Sequence, residues 1–283
     1  MDGPRSAEEV GIVVESLTRG ELSVVGQIAD ASNVALLCEV EGADEVASVT
    51  GGPVHVIYKP VRGERPLWDF PRGTLAGREV ATFEVSRAGG WAVVPPTVLR
   101  DGAYGPGSVQ LWIGDPFSEQ ADARPVDVVP PRRVPPGWLP VVDGELNDGA
   151  AVTVVHEDRD DVRDVATLDA VVNNADRKGS HLVRDRNGAL WGFDHGVTFS
   201  PDPKLRTVLW GWAAEPLRPA DLARLEALRE CLADRDSALT SRLTTLLPRD
   251  DRRALEVRVA ALLRTGTHPR PSPGWPHIPW PAL

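Results

Sequence analysis

Sulfur-bearing residues are nearly missing from this chain of 283 residues, which holds two cysteines and one methionine. Cys38 and Cys231 stand far apart, one in a strand-like apolar run and one in a helical stretch, so a disulfide framework is excluded and a reducing cytoplasm is the expected setting. Positive charge is also short: 31 Lys and Arg face 41 Asp and Glu, a formal charge of −10. That balance argues against a broad footprint for nucleic acid or an anionic membrane, so any anionic substrate must be gripped locally. Nowhere do about 18 uncharged apolar residues run together, and the opening MDGPRSAEEV lacks a basic segment followed by an apolar one. The expectation is a soluble, unexported protein with no membrane insertion. Lysine is scarce beside arginine and tyrosine beside tryptophan, two against nine, whereas Gly and Pro contribute 26 each and make the chain rich in turns.

The apolar content of 42% is enough for one substantial core or two small lobes. Residues 22–28 and 34–40 are rich in Val, Leu and Ile around the polar break Ala29-Asp30-Ala31-Ser32-Asn33, which predicts a hairpin. A third strand over 54–59 is closed by Pro60. Residues 75–88 have a helical pattern, with Thr74 as the expected N-cap and Gly89-Gly90 as the stop. Two further strands are expected at 98–100 and 108–113. Residues 114–148 are Pro-, Asp- and Arg-rich without periodicity and read as a lobe junction or surface excursion. Then come a helix over 162–173, a tight Asn187-Gly188 hairpin between short apolar segments, and helices over 220–232, 236–246 and 249–263. The stretch 268–283, with six prolines and two tryptophans, reads as an extended strap. The order predicts an α+β protein, a β-rich lobe over 1–113 and a mainly helical lobe over 114–283, with a ligand cleft between them.

The chemistry concentrates in Asn173-Asn174-Ala175-Asp176-Arg177-Lys178-Gly179-Ser180-His181 and, after the hairpin, Gly192-Phe193-Asp194-His195-Gly196. An acid in a polar loop, a ligand-type side chain five residues on and a second acid beyond a hairpin suit phosphoryl transfer, where the protein chiefly positions groups and neutralises charge. One carboxylate would orient an acceptor hydroxyl, and another would hold a divalent cation through oxygen.

Asp176-Arg177 with His181 resembles the Asp-Arg-x-x-x-Asn catalytic loop of phosphatidylinositol 3-/4-kinase-related proteins and of HipA-like kinases, and Phe193-Asp194-His195-Gly196 resembles their Asp-Phe-Gly motif. Ile57-Tyr58-Lys59-Pro60 is similar to the strand carrying the nucleotide lysine, and Gly77-Arg78-Glu79-Val80-Ala81 to the helix carrying its glutamate partner. From about residue 20 to 215 the order resembles a group of actinobacterial proteins of this kinase-like kind. The resemblance implies a two-lobed protein-kinase-like fold, ATP and Mg²⁺ as cofactors, and a hydroxyl-bearing substrate, with no nucleic-acid partner. It implies Lys59 on the α- and β-phosphates with Glu79 as its ion-pair partner, Asp176 as the acceptor base, and Asp194 and His181 on the metal. Gln110, Leu111 and Trp112 would lie at the adenine, and Ser32 and Asn33 at the phosphates. Lys178 either reaches the γ-phosphate or is a solvated loop lysine; Arg177 braces the loop through an acid. Two departures stand out. Histidine replaces asparagine at 181, which leaves Mg²⁺ and Mn²⁺ both open, and no Gly-x-Gly-x-x-Gly lies between the first two strands. The alternatives are a catalytically silent nucleotide-binding scaffold, or self-directed phosphoryl or AMP transfer.

Overall fold

The computed structural model describes residues 2–4, 6–28, 33–42, 44–117, 124–146 and 148–283. It opens on a helix that the sequence reading leaves out, α1 (Ala7–Arg19), although its start signal is legible. The Ser6 hydroxyl accepts from the Glu9 N–H and the Glu9 carboxylate from the Ser6 N–H, both at 3.1 Å, a reciprocal cap. Val13 and Leu17, one turn apart, bury against the first lobe.

Strands β1 (Glu21–Gln27), β2 (Leu36–Glu41), β3 (His55–Pro60), β4 (Thr97–Gly102) and β5 (Gly105–Leu111) form one antiparallel sheet in the order β1-β2-β3-β5-β4. The first two make the expected hairpin, and a short helix, α2 (Asp44–Thr50), joins β2 to β3. Burial alternates along β3: Val56 and Tyr58 enter the lobe's core, while Ile57 and Lys59 face the cleft. Helix α3 (Leu75–Gly89) ends as expected on a left-handed glycine, Gly90, at φ 76°. Thr74 does not cap it as expected: its hydroxyl donates to Pro71 O at 2.7 Å and accepts from Arg78 Nε at 3.3 Å. The helix is buried nearly all round because it lies between the sheet and the second lobe, whose apolar cluster includes Val80, Phe83 and Val85.

The expectation of an irregular excursion over 114–148 is corrected. Strands β6 (Val126–Val129), β7 (Trp138–Glu145) and β8 (Ala151–Glu157) form a three-stranded antiparallel sheet in the order β6-β8-β7. Prolines hid it: Pro130, Pro131, Pro135 and Pro136 fall between strands, and Pro140 sits on edge strand β7 beside a register shift. Helix α4 (Asp160–Val172), the hairpin β9 (Leu182–Arg184) and β10 (Leu190–Gly192), and helices α5 (Pro219–Ala233), α6 (Ala238–Leu246) and α7 (Arg249–Thr265) follow close to their expected bounds. The fold is α+β and two-lobed in the manner of a kinase, a twisted antiparallel sheet with one crossing helix set on a mainly helical lobe. Among the described residues no helix is long and apolar enough to cross a membrane.

Candidate active site

A cleft of about 1010 Å³ opens between the lobes, lined by Ile57, Lys59 and Trp112 from the first and by Asp176, His181 and Asp194 from the second. Lys59 reaches it from the cleft face of β3. Its Nζ donates to Glu79 Oε1 on α3 at 2.6 Å and to Asp194 Oδ1 after β10 at 2.8 Å. The other Glu79 oxygen accepts the His195 N–H at 2.8 Å, so one carboxylate ties the lysine to the backbone just after Asp194. Glu84, one turn further along α3, pairs with Arg87 instead. Burial works to lower the Lys59 pKa, but the attraction of Asp194 and Glu79 outweighs it and holds the ammonium above its ordinary value. Lys59 in turn holds the Asp194 carboxyl far below the usual carboxylate range. Asp194 is left-handed at φ 59° with its side chain half exposed to the cleft, a strained backbone pinned by these bonds.

The loop that carries Asp176 is shaped by Asn173, which ends α4 in the left-handed region at φ 55°, and by Arg177. The Arg177 guanidinium is fully buried, bidentate to Asp169 at 2.9 and 3.0 Å, and also donates to Phe193 O at 2.9 Å. Such a buried cation persists only when paired, and here it welds the loop to the end of β10 as the expected brace. His195, wholly buried, meets Arg177 Nη2 through Nε2 at 2.6 Å; burial drives its pKa well below normal, and it orients the loop.

Asp176 projects into the cleft with a cation on each oxygen, Lys178 Nζ on Oδ2 and Arg206 Nη2 on Oδ1, both at 3.1 Å. Burial raises its pKa against those two charges. His181 Nε2 lies 3.4 Å from Asp194 Oδ2, and burial lowers its pKa to about 4, so the imidazole is neutral near pH 7 and able to ligate. Among the described residues no group of three His, Cys, Asp or Glu side chains forms a ready cation cage. The neighbouring Asp194 and His181 could between them hold a divalent cation.

Gln110, Leu111 and Trp112 line the cleft's inner wall. Their groups are partly committed: Gln110 Nε2 donates to Thr97 Oγ1 at 2.7 Å, Leu111 N–H to Pro96 O at 2.9 Å and Trp112 N–H to His55 O at 2.9 Å. Asn33 also borders the cleft and accepts the Arg65 N–H at 2.7 Å, whereas Ser32 lies outside the described residues. Trp210 and Trp212 pack rather than face the cleft, their indoles donating to His277 O at 2.8 Å and Asp158 Oδ1 at 3.0 Å.

Two residues outside the expected site set brace the cleft. Arg78, beside Glu79, is buried and pairs with Asp251 of α7 at 2.6 Å while also donating to Thr198 O, which pins α3 to the second lobe. Lys204 pairs with Asp69 at 2.9 Å among aromatic rings at the cleft mouth. A signal for Lys204 existed: the chain has three lysines, Lys59, Lys178 and Lys204, among 31 basic residues. The first two line the cleft and the third braces its lip, where a compact ammonium is not interchangeable with guanidinium.

In sequence, the chain is 40% identical over 273 residues to Protein Rv2133c of Mycobacterium tuberculosis (strain ATCC 25618 / H37Rv), covering 94% of both. The chain belongs to the Rv2133c family. No protein-family profile matches this member of the Rv2133c family. Among solved structures, the Helicobacter pylori proinflammatory kinase CtkA is similar over 89% of this chain and 94% of its own, at TM-score 0.41 and 10% identity. The two-lobed, kinase-like fold of this Rv2133c relative is read from its own element order.

Proposed function

We propose that the chain is an ATP- and divalent-metal-dependent phosphotransferase of the phosphatidylinositol 3-/4-kinase-related kind, acting in the cytoplasm on a hydroxyl of a small molecule or protein. The observation that carries this reading is the contact of Lys59 with both Glu79 and Asp194, at 2.6 and 2.8 Å, across three elements of two lobes. Lys59 would hold the α- and β-phosphates, with Glu79 fixing its direction. Asp194 and His181 would hold Mg²⁺ or Mn²⁺, which supplies neutralisation of phosphate charge. Asp176 would orient the acceptor hydroxyl and take its proton, and Lys178, released from Asp176, would meet the transferring phosphate. Gln110, Leu111 and Trp112 would border the adenine, and Ser32 and Asn33 the phosphates. Lys59, Glu79, Asp176 and Asp194 are all present, which favours an active enzyme over a silent scaffold.

The test is thermal unfolding with ATP and Mg²⁺ or Mn²⁺. At nucleotide about 100-fold above Kd the native state gains about 2.7 kcal/mol, a rise in Tm of several degrees. Mass spectrometry after the same incubation separates phosphoryl from adenylyl transfer to the chain itself. No rise in Tm with either metal would refute the reading.

A further inference from the structure

The strap over 268–283 forms part of the cleft. Trp275, Pro281 and Leu283 line it together with Asp176 and Arg206. The Gly179 N–H of the catalytic loop donates to Ala282 O at 2.8 Å, and the Thr207 N–H donates to His277 O at 3.0 Å. The packing here is close: a Cβ at 179 would lie 2.7 Å from Leu283 Cδ2 and 3.0 Å from Val126 Cβ. At the mouth, the rings of Trp68 and Trp275 stand 6.3 Å apart. Lys204 Nζ closes this lip from behind, 4.9 Å from Trp68, 5.5 Å from Phe70 and 5.1 Å from Trp275.

These contacts consume what a polypeptide acceptor would need. An extended peptide is commonly gripped along an unpaired backbone edge. Around Arg206 to Val208 the edge is already paired on both sides: Arg206 N–H with Asn174 O at 2.9 Å, Val208 N–H with Arg177 O at 3.2 Å, and Thr207 N–H with the strap. A cleft of about 1010 Å³ is also near the upper end of a single-ligand site, roughly 300–1,000 Å³, so a bound nucleotide leaves room for one compact second molecule.

Building on the phosphotransferase reading, we propose that the strap is the acceptor-side wall of the cleft and that the acceptor is a small free polyhydroxy alcohol, not a polypeptide side chain. The rings of Trp68 and Trp275 offer faces for C–H groups, and Asp176, Lys178 and Arg206 offer charged partners for hydroxyls. In the transfer the bond from the γ-phosphorus to the β,γ-bridging oxygen breaks and a bond to the acceptor oxygen forms. The hydroxyl proton passes to Asp176 and ADP leaves.

The test uses the full chain with γ-phosphate-labelled ATP, Mg²⁺ or Mn²⁺, and a mycobacterial extract divided into a low-mass filtrate and a dialysed protein fraction. Label should enter a non-nucleotide small molecule of the filtrate and stay out of the protein. Label in the protein fraction, or in neither, overturns the assignment. The nucleotide-induced rise in Tm, measured in parallel, separates the two ideas: a preserved rise with label in protein sinks only the acceptor class, and no rise sinks the phosphotransferase reading and this inference with it. With the labelled acceptor in hand, Trp275→Ala should raise its KM about tenfold with kcat little changed. Trp280→Ala, on the same strap but 80% exposed, should leave KM and kcat both unchanged, and equal effects of the two variants would refute the wall.

Discussion

Replacing Lys59 with methionine tests the charge balance of the site. The change keeps the stem and removes the ammonium, leaving two carboxylates without their shared cation. Their surroundings differ. The Glu79 side chain is 5% exposed and retains only the His195 N–H, whereas Asp194 is 49% exposed and can be hydrated. Stranding a buried charge costs about 3–5 kcal/mol, and losing a half-exposed pair costs below about 1 kcal/mol, so Lys59→Met should destabilise by about 3 kcal/mol at pH 7. Glu79→Gln should cost less, about 1–2 kcal/mol, since Lys59 keeps Asp194 at 2.8 Å and no buried carboxylate is stranded, although the single amide oxygen can accept from only one of Lys59 and His195. The double variant should be more stable than Lys59→Met alone. Burial already raises the Glu79 pKa above its unfolded value, and loss of Lys59 raises it further. The folded variant then binds more protons than the unfolded chain, so its deficit shrinks as pH falls from 7 towards 5. Urea unfolding followed by tryptophan fluorescence at both pH values gives the numbers. Equal losses for Lys59→Met and Glu79→Gln, or a deficit indifferent to pH, would refute the reasoning.

Asp194→Asn, which tolerates the left-handed backbone, should remove the metal-dependent nucleotide effect on Tm while leaving a cooperative fold; retention of the effect would show Asp194 is misassigned. Asp176→Ala should lower transfer or residual ATP hydrolysis about 10²–10⁴-fold with little change in nucleotide affinity, measured by titration and single-turnover rates. His181→Asn should keep activity and move preference from Mn²⁺ towards Mg²⁺; if His181→Ala is equally harmless, the imidazole is not a metal ligand. His268 is buried against Arg163, and its pKa is lowered by burial to about 4 from an ordinary 6.5. The unfolded chain therefore binds the extra proton between those values, stability falls as pH drops from about 6.5 to 4, and His268→Gln should flatten that slope in urea titrations.

What the sequence by itself determined is local. Burial alternation along β3, the left-handed glycine after α3, the Pro-started α5 and the Asp176, His181 and Asp194 spacing could all be read, because caps and periodicities act over a few residues. The pairing of β6, β7 and β8 could not, since prolines break the period and edge pairing is decided by burial against the rest of the lobe. Nor could the contacts that make a site of the motif: Lys59 with Asp194 spans 135 positions and Arg78 with Asp251 spans 173. No local pattern records them. They exist because two cores, once packed, leave a cleft in which buried charges must find opposite partners, and only the tertiary structure chooses which partners are within reach.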